Sequence, residues 1–133
     1  MRIVALMVAL TLVPVVQADD DIPILNYDAR PPLKQPPRFD RDDALTVNRS
    51  DFQVLDYQLM SSEQGERWAV VTVRNTATGQ RLLSEKMLVA EFANGERRYP
   101  LVMEGKVAGG AVLTRTVTFG YSRFPILRLI GSR

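Results

Sequence analysis

The chain has 133 residues, 17 Lys and Arg against 15 Asp and Glu, a formal charge of +2, and neither His nor Cys. Lacking both side chains, it has no zinc site of the usual kinds, thiol nucleophile, Ser-His-Asp triad or imidazole base, so most hydrolase mechanisms lose their central residue. A charge so near neutrality specifies no partner, and without disulfides the burial of apolar side chains must supply the stability.

Residues 1–18 have the pattern of a secretory signal peptide: Arg2, the apolar run Ile3 to Val16, and the small-residue ending Val16-Gln17-Ala18. The run is shorter than the roughly 20 residues needed to cross a bilayer, and Pro14 interrupts it. Position 19 is Asp, which excludes a lipid anchor on an N-terminal cysteine. Cleavage leaves 115 of the 133 residues, a length suited to one compact domain with a tail, working in the periplasm or outside the cell.

Residues 19–49 form an extended arm. Pro23, Pro31, Pro32, Pro36 and Pro37 fix φ and donate no ladder hydrogen bond. Ile22, Ile24, Leu25 and Tyr27 lie within it, and docking of this part on the chain's own domain is expected ahead of docking on a partner.

From Ser50 to Arg133 the pattern is one of short β segments separated by Gly, Asn and polar turns. In Phe52 to Met60, Leu55, Tyr57 and Leu59 alternate with Asp56 and Gln58, one buried face against one wet face. Arg67 to Arg74 reads as a central strand buried on much of both faces. Asn75 to Gln80 is a turn, and Arg81 to Ser84 a short edge strand. Met87 to Ala93 places Leu88, Ala90 and Phe92 inward with Glu91 opposite. Asn94-Gly95 suits a two-residue hairpin turn leading into Glu96 to Leu101, whose inward candidates are Tyr99 and Leu101. After the loop at Gly105 and Gly109-Gly110, Ala111 to Phe119 sets Val112, Thr114, Thr116 and Thr118 against Leu113, Arg115, Val117 and Phe119. Arg115 is the misfit on that inner face; it lies near an edge with its head in water, or a bulge after it resets the register. Ile126 to Ile130 is the last strand.

Six or seven short strands in roughly eighty residues predict an all-β antiparallel sandwich, with a small barrel as the rival. The order Phe52-Gln53-Val54-Leu55-Asp56-Tyr57, then Ala69 to Thr76 ending in Asn75-Thr76, then Phe92 with Asn94-Gly95, then a Gly-rich loop before Thr114 to Phe119, resembles the small immunoglobulin-like modules of bacterial envelope proteins, in particular the FxLYD type. The chain departs from that type where Leu55-Asp56-Tyr57 replaces a contiguous Leu-Tyr-Asp, and where Gly109-Gly110 lacks a preceding Pro. The resemblance implies an immunoglobulin-like fold serving interaction or spacing. It carries over no catalytic residue and no cofactor.

No spacing pairs carboxylates for acid/base work, and Asp40, Asp42, Asp43, Asp51, Asp56, Glu85, Glu91 and Glu104 read as solvated surface groups. Asp40-Arg41-Asp42-Asp43 lacks the glycine and distal glutamate of a calcium loop. Trp68, Tyr57, Tyr99 and Phe119 read as packing residues. The stretch from Gly105 to Arg133 holds five basic residues and no acid, and within it Tyr121, Arg123, Phe124 and Arg128 are the candidate binding residues. Two functions follow as expectations. One is a non-catalytic adaptor or assembly accessory that contacts another envelope or secreted protein through sheet edges, Arg81 to Ser84 and Ile126 to Ile130. The other is a module that binds glycan or an anionic envelope polymer through those four residues. Neither calls for nucleic acid, a metal or a cofactor.

Overall fold

The computed structural model describes residues 23–29, 33–40 and 45–132. The leader, the Asp19-Asp20-Asp21 opening, Pro31, Pro32, Asp42 and Asp43 lie outside the described residues. No helix among those described is long and apolar enough to cross a membrane.

The chain is all-β. Nine strands are described: β1 Leu25–Tyr27, β2 Phe52–Ser62, β3 Glu66–Asn75, β4 Arg81–Leu83, β5 Leu88–Phe92, β6 Arg97–Arg98, β7 Gly105–Val107, β8 Val112–Tyr121 and β9 Ile126–Gly131. All pairings are antiparallel, in three hydrogen-bonded sheets ordered β1-β2-β3-β8, β4-β7 and β6-β5-β9. One apolar cluster draws on all three: Phe52, Val71 and Phe119 from the first, Leu83 and Val107 from the second, Leu88, Phe92 and Leu129 from the third.

Strand β3 is central in its sheet, but its burial alternates. Ala69, Val71 and Val73 are buried while Trp68, Val70 and Thr72 are half-exposed, so one face meets the core and the expected burial of both faces is not observed. In β2 the inward set is Phe52, Val54, Tyr57 and Leu59. Leu55, expected inward, is 41% exposed, because a register shift between Val54 and Asp56 makes it the extra residue of a β-bulge and turns its side chain outward.

Strand β8 keeps Val117 and Phe119 buried as the alternation predicts. Arg115 stays on their face and is exposed, because β8 is an edge strand that lets the guanidinium reach solvent. The register shift in β8 comes later, opposite Glu66 and Trp68 of β3, where Gly120 has φ +78°.

The hairpin after β5 also differs from expectation. Phe92 N–H donates to Glu96 O and Gly95 N–H to Phe92 O, with Gly95 at φ +88°. This is a three-residue loop with glycine in the left-handed region, not a two-residue turn. Strand β6 then stops at Arg98, two residues before Pro100, which has no N–H for a ladder. Beyond it Leu101 N–H donates to Thr118 O on β8 while its side chain is exposed, and Pro100 and Met103 are buried in place of the expected Tyr99 and Leu101.

Among the described residues, backbone hydrogen bonds attach the arm in two places, and the Phe39 side chain lies against Gly95. Strand β1 pairs Leu25, Asn26 and Tyr27 with Ser62, Ser61 and Met60, and Asp28 N–H donates to Leu59 O. Residues 45–50 cross the outer side of the β6-β5-β9 sheet, where Arg97 Nη1 donates to Leu45 O at 3.3 Å, Tyr99 Oη to Thr46 O at 2.8 Å, and Asn48 N–H to Lys86 O at 2.8 Å.

Candidate functional site

A depression of about 850 Å³ opens between β2 and β9. Phe52, Val54 and Tyr57 line one side, Leu129 and Gly131 the other, and Arg49 and Asp51 stand at the lip. Its position follows from strand pairing. Strand β9 pairs only with β5, while β1 covers just the Met60–Ser62 end of β2. Val54 of β2 and the whole outer side of β9 therefore have no ladder partner among the described residues.

Which backbone groups face the groove follows from alternation along an antiparallel strand. Phe92 N–H points to β6, so Glu91 and Val89 turn their backbone groups to β9, where Arg128 and Ile130 meet them. Leu129 and Gly131 are thus aimed away from β5, into the groove. On β2, Thr76 N–H reaches Asp51 O, which sets residues 51 and 53 toward β3 and Phe52 and Val54 toward the groove. Phe52 N–H is taken by Ser50 Oγ at 3.3 Å.

Two local choices shape the groove. A Cβ at Gly131 would come within 2.6 Å of Val54 Cγ2, so only glycine lets β9 approach β2 this closely. Ser132 Oγ donates to Ser50 O at 3.2 Å and accepts from Ser50 N–H at 3.1 Å, closing one end.

The sequence-predicted residues fall in two places. Tyr121 and Arg123 line a shallow depression of about 430 Å³ with Gln64, Gly65, Arg67 and Ser122. Phe124 follows in the turn after β8, its N–H on Ser122 Oγ at 3.1 Å, and Tyr121 and Phe124 are both exposed. Arg128 does not join them. It lies on β9 beside residues 45–50, and its Nε donates to Glu91 Oε1 at 2.9 Å.

Glu91 reverses the surface reading made from sequence. Only 1% exposed, it accepts from Arg128 on one oxygen and from Arg97 Nε on the other at 3.0 Å, because the arm lies over its side of the sheet. Arg97 and Arg49, which line the same depression as Arg128, were missed. The available signal was the hairpin: a three-residue loop in Phe92-Ala93-Asn94-Gly95-Glu96 sets Glu91 opposite Arg97.

Three of the other carboxylates each meet a partner residue. Asp51 pairs with Arg81 at 3.0 Å and Asp56 accepts from Tyr57 N–H at 2.9 Å. Glu96 pairs with Arg98 at 2.6 Å, and this hydrogen bond holds its carboxyl below the usual value of 4.5 against a smaller opposing effect of burial. Among the described residues no cluster of three or more Asp or Glu is placed to hold a metal ion. The aromatic residues are dispersed: Phe119 in the core, Tyr57 in the β2–β9 groove, Tyr99 fastening the arm.

Comparison with protein-family models, characterised proteins and solved structures gives no match.

Proposed function

We propose that the protein is a non-catalytic, exported interaction module with an immunoglobulin-like β-sandwich, acting in the bacterial envelope by accepting an extended segment of another protein. The apolar cluster shared by the three sheets supports this reading, in which β1-β2-β3-β8 would form one side of the core and β6-β5-β9 with β4-β7 the other. The leader pattern supports export to the periplasm or beyond.

The observation that carries the functional reading is the groove between β2 and β9. Backbone groups of Val54, Leu129 and Gly131 that have no ladder partner among the described residues line it, and Phe52 and Leu129 give it an apolar floor. An extended peptide meets both needs at once, since its backbone continues a sheet while alternate side chains bury. Of the two edges expected from sequence, β9 fits better. Strand β4 is three residues long, already paired with β7, and Leu82 projects into solvent.

Photo-crosslinking tests this. A crosslinker at Gln53, which lines the groove, should trap a discrete partner in intact cells, whereas one at Thr116 on β8, the opposite edge of the β1-β2-β3-β8 sheet, should not. With that partner bound, the amides of Leu129 and Gly131 should become protected from hydrogen exchange. Equal trapping at both positions, or unchanged exchange at those amides, overturns the reading.

A further inference from the structure

Beside the groove, residues 45–50 and β9 enclose a second depression of about 430 Å³. Three guanidinium groups reach it, from Arg49, Arg97 and Arg128, and no described acidic residue lines it. The acid behind them is Glu91, whose side chain is 2% exposed against 22% for Arg97 and 28% for Arg128.

One arginine suffices to neutralise a buried carboxylate. Arg97 does so with Nε and Nη2 on Oε2, while its Nη1 donates to Leu45 O. Arg128 donates to Oε1 through Nε alone, and its two terminal amino groups have no partner among the described residues. Arg49 is exposed and likewise has none. The local sum is three positive charges against one negative. Glu91 also fixes the orientation of Arg128, so the unused donors are held in place in advance, the condition under which a guanidinium recognises an oxyanion well.

The remaining surface is apolar: Leu45, Val47 and Ile130 are half-buried around the cations. From this arrangement we infer that the depression between the arm and β9 is a binding site for a small amphiphilic anion, a carboxylate or phosphate group on a short apolar stem. The oxyanion is held by Arg128 and Arg49, and the stem lies against Leu45, Val47 and Ile130. A net excess of two positive charges at one spot, counted over the described residues, suits a single anionic group better than a polymer, which needs a track of charge. This inference does not depend on strand addition in the neighbouring groove.

The test is a titration of the full chain, followed by NMR on backbone amides and arginine Nε–H groups, with sodium hexanoate, hexyl phosphate and acetate. Hexanoate should shift residues 45–49 and 130–132 saturably and bind at least about tenfold more tightly than acetate, because each buried methylene is worth roughly a factor of four. Comparison with hexyl phosphate shows which oxyanion is preferred. Arg49→Gln leaves the Glu91 cluster untouched and should weaken hexanoate about fivefold or more, and Arg128→Lys should weaken it while the fold persists. Arg74→Gln, on the other sheet, should change nothing. Equal affinity for acetate and hexanoate, or full binding by Arg49→Gln, overturns the inference. So does poly-glutamate binding that spreads past these residues while hexanoate gives no saturable shift.

Discussion

The two hydrogen-bonded stretches of the arm are held by different balances of backbone and side-chain bonds. Strand β1 is held by backbone hydrogen bonds to Met60–Ser62, with Ile24 84% and Tyr27 75% exposed. Residues 45–50 form no strand, yet Arg97 and Tyr99 each seize one of their carbonyls, and beneath them Val89 and Glu91 are shielded from water. A backbone ladder accepts almost any sequence, so β1 covers the β2 edge with little demand on its own side chains. A fastening made by particular side chains is specific, and residues 45–50 are part of the folded domain.

The sharpest way to break this contrast is at Glu91. Glu91→Ala leaves Arg97 and Arg128 confronting each other beneath the arm, and removing one member of a buried ion cluster costs about 3–5 kcal/mol. Chemical denaturation should show a loss of that size, with protease cutting near residues 45–50. A loss below ~1 kcal/mol would mean that the arm does not depend on the cluster.

Asn75 offers the next largest effect and serves as a control remote from the arm. Fully buried, its Nδ2 donates to Gly79 O, Val107 O and Ala108 O, and its Oδ1 accepts from Ala77 N–H. Asn75→Ala should cost about 2–3 kcal/mol, since those buried groups lose their partner, and should leave arm proteolysis unchanged.

The two fastenings can also be cut separately. Tyr99→Phe deletes one hydrogen bond to residues 45–50 and should cost about 1 kcal/mol. In β1, Asp28 N–H points to β2, so by alternation Asn26 N–H does as well, whereas Tyr27 N–H points away. Asn26→Pro should therefore release β1 at a cost near ~1 kcal/mol and increase self-association through the bared β2 edge, while Tyr27→Pro should do neither. Light scattering on the two variants separates them.

These contrasts also show what a linear reading can reach. The alternation of Val117 and Phe119 in β8 and the all-β class were legible, because period-two patterning is local. Leu55 was misplaced because a single extra residue in a ladder flips the face of its side chain, and nothing in Val54-Leu55-Asp56 announces a bulge. Glu91 was misread because its burial is created by partners 6 and 37 residues away and by an arm that precedes it. Arg128 was chosen for its charge. That charge is real, but its neighbours come from β5, β6 and the arm, and strand patterns carry no signal of such an assembly.

The smallest effect lies at Glu96, beside the same hairpin but outside the buried cluster. Its carboxyl is held below its usual value first by the hydrogen bond from Arg98, which also accounts for the charge attraction. A carboxyl with a lowered folded-state pKa adds stability that is complete above the unfolded value of 4.5 and is lost as pH falls through the lower folded value. Because the side chain is 37% exposed, solvent screening keeps the contribution below ~1 kcal/mol. Glu96→Gln should thus lower stability slightly at pH 7 and by progressively less as the pH falls below 4.5, with the difference shrinking in 1 M salt. Arg98 also caps Phe119 O and Tyr121 O and stacks over Phe92 at 4.7 Å, so Arg98→Ala should cost more than Glu96→Gln and keep part of its effect at pH 3. Equal pH dependence in the two variants would show that the ion pair, and not the arginine's bridge from β6 to β8, is what Arg98 contributes.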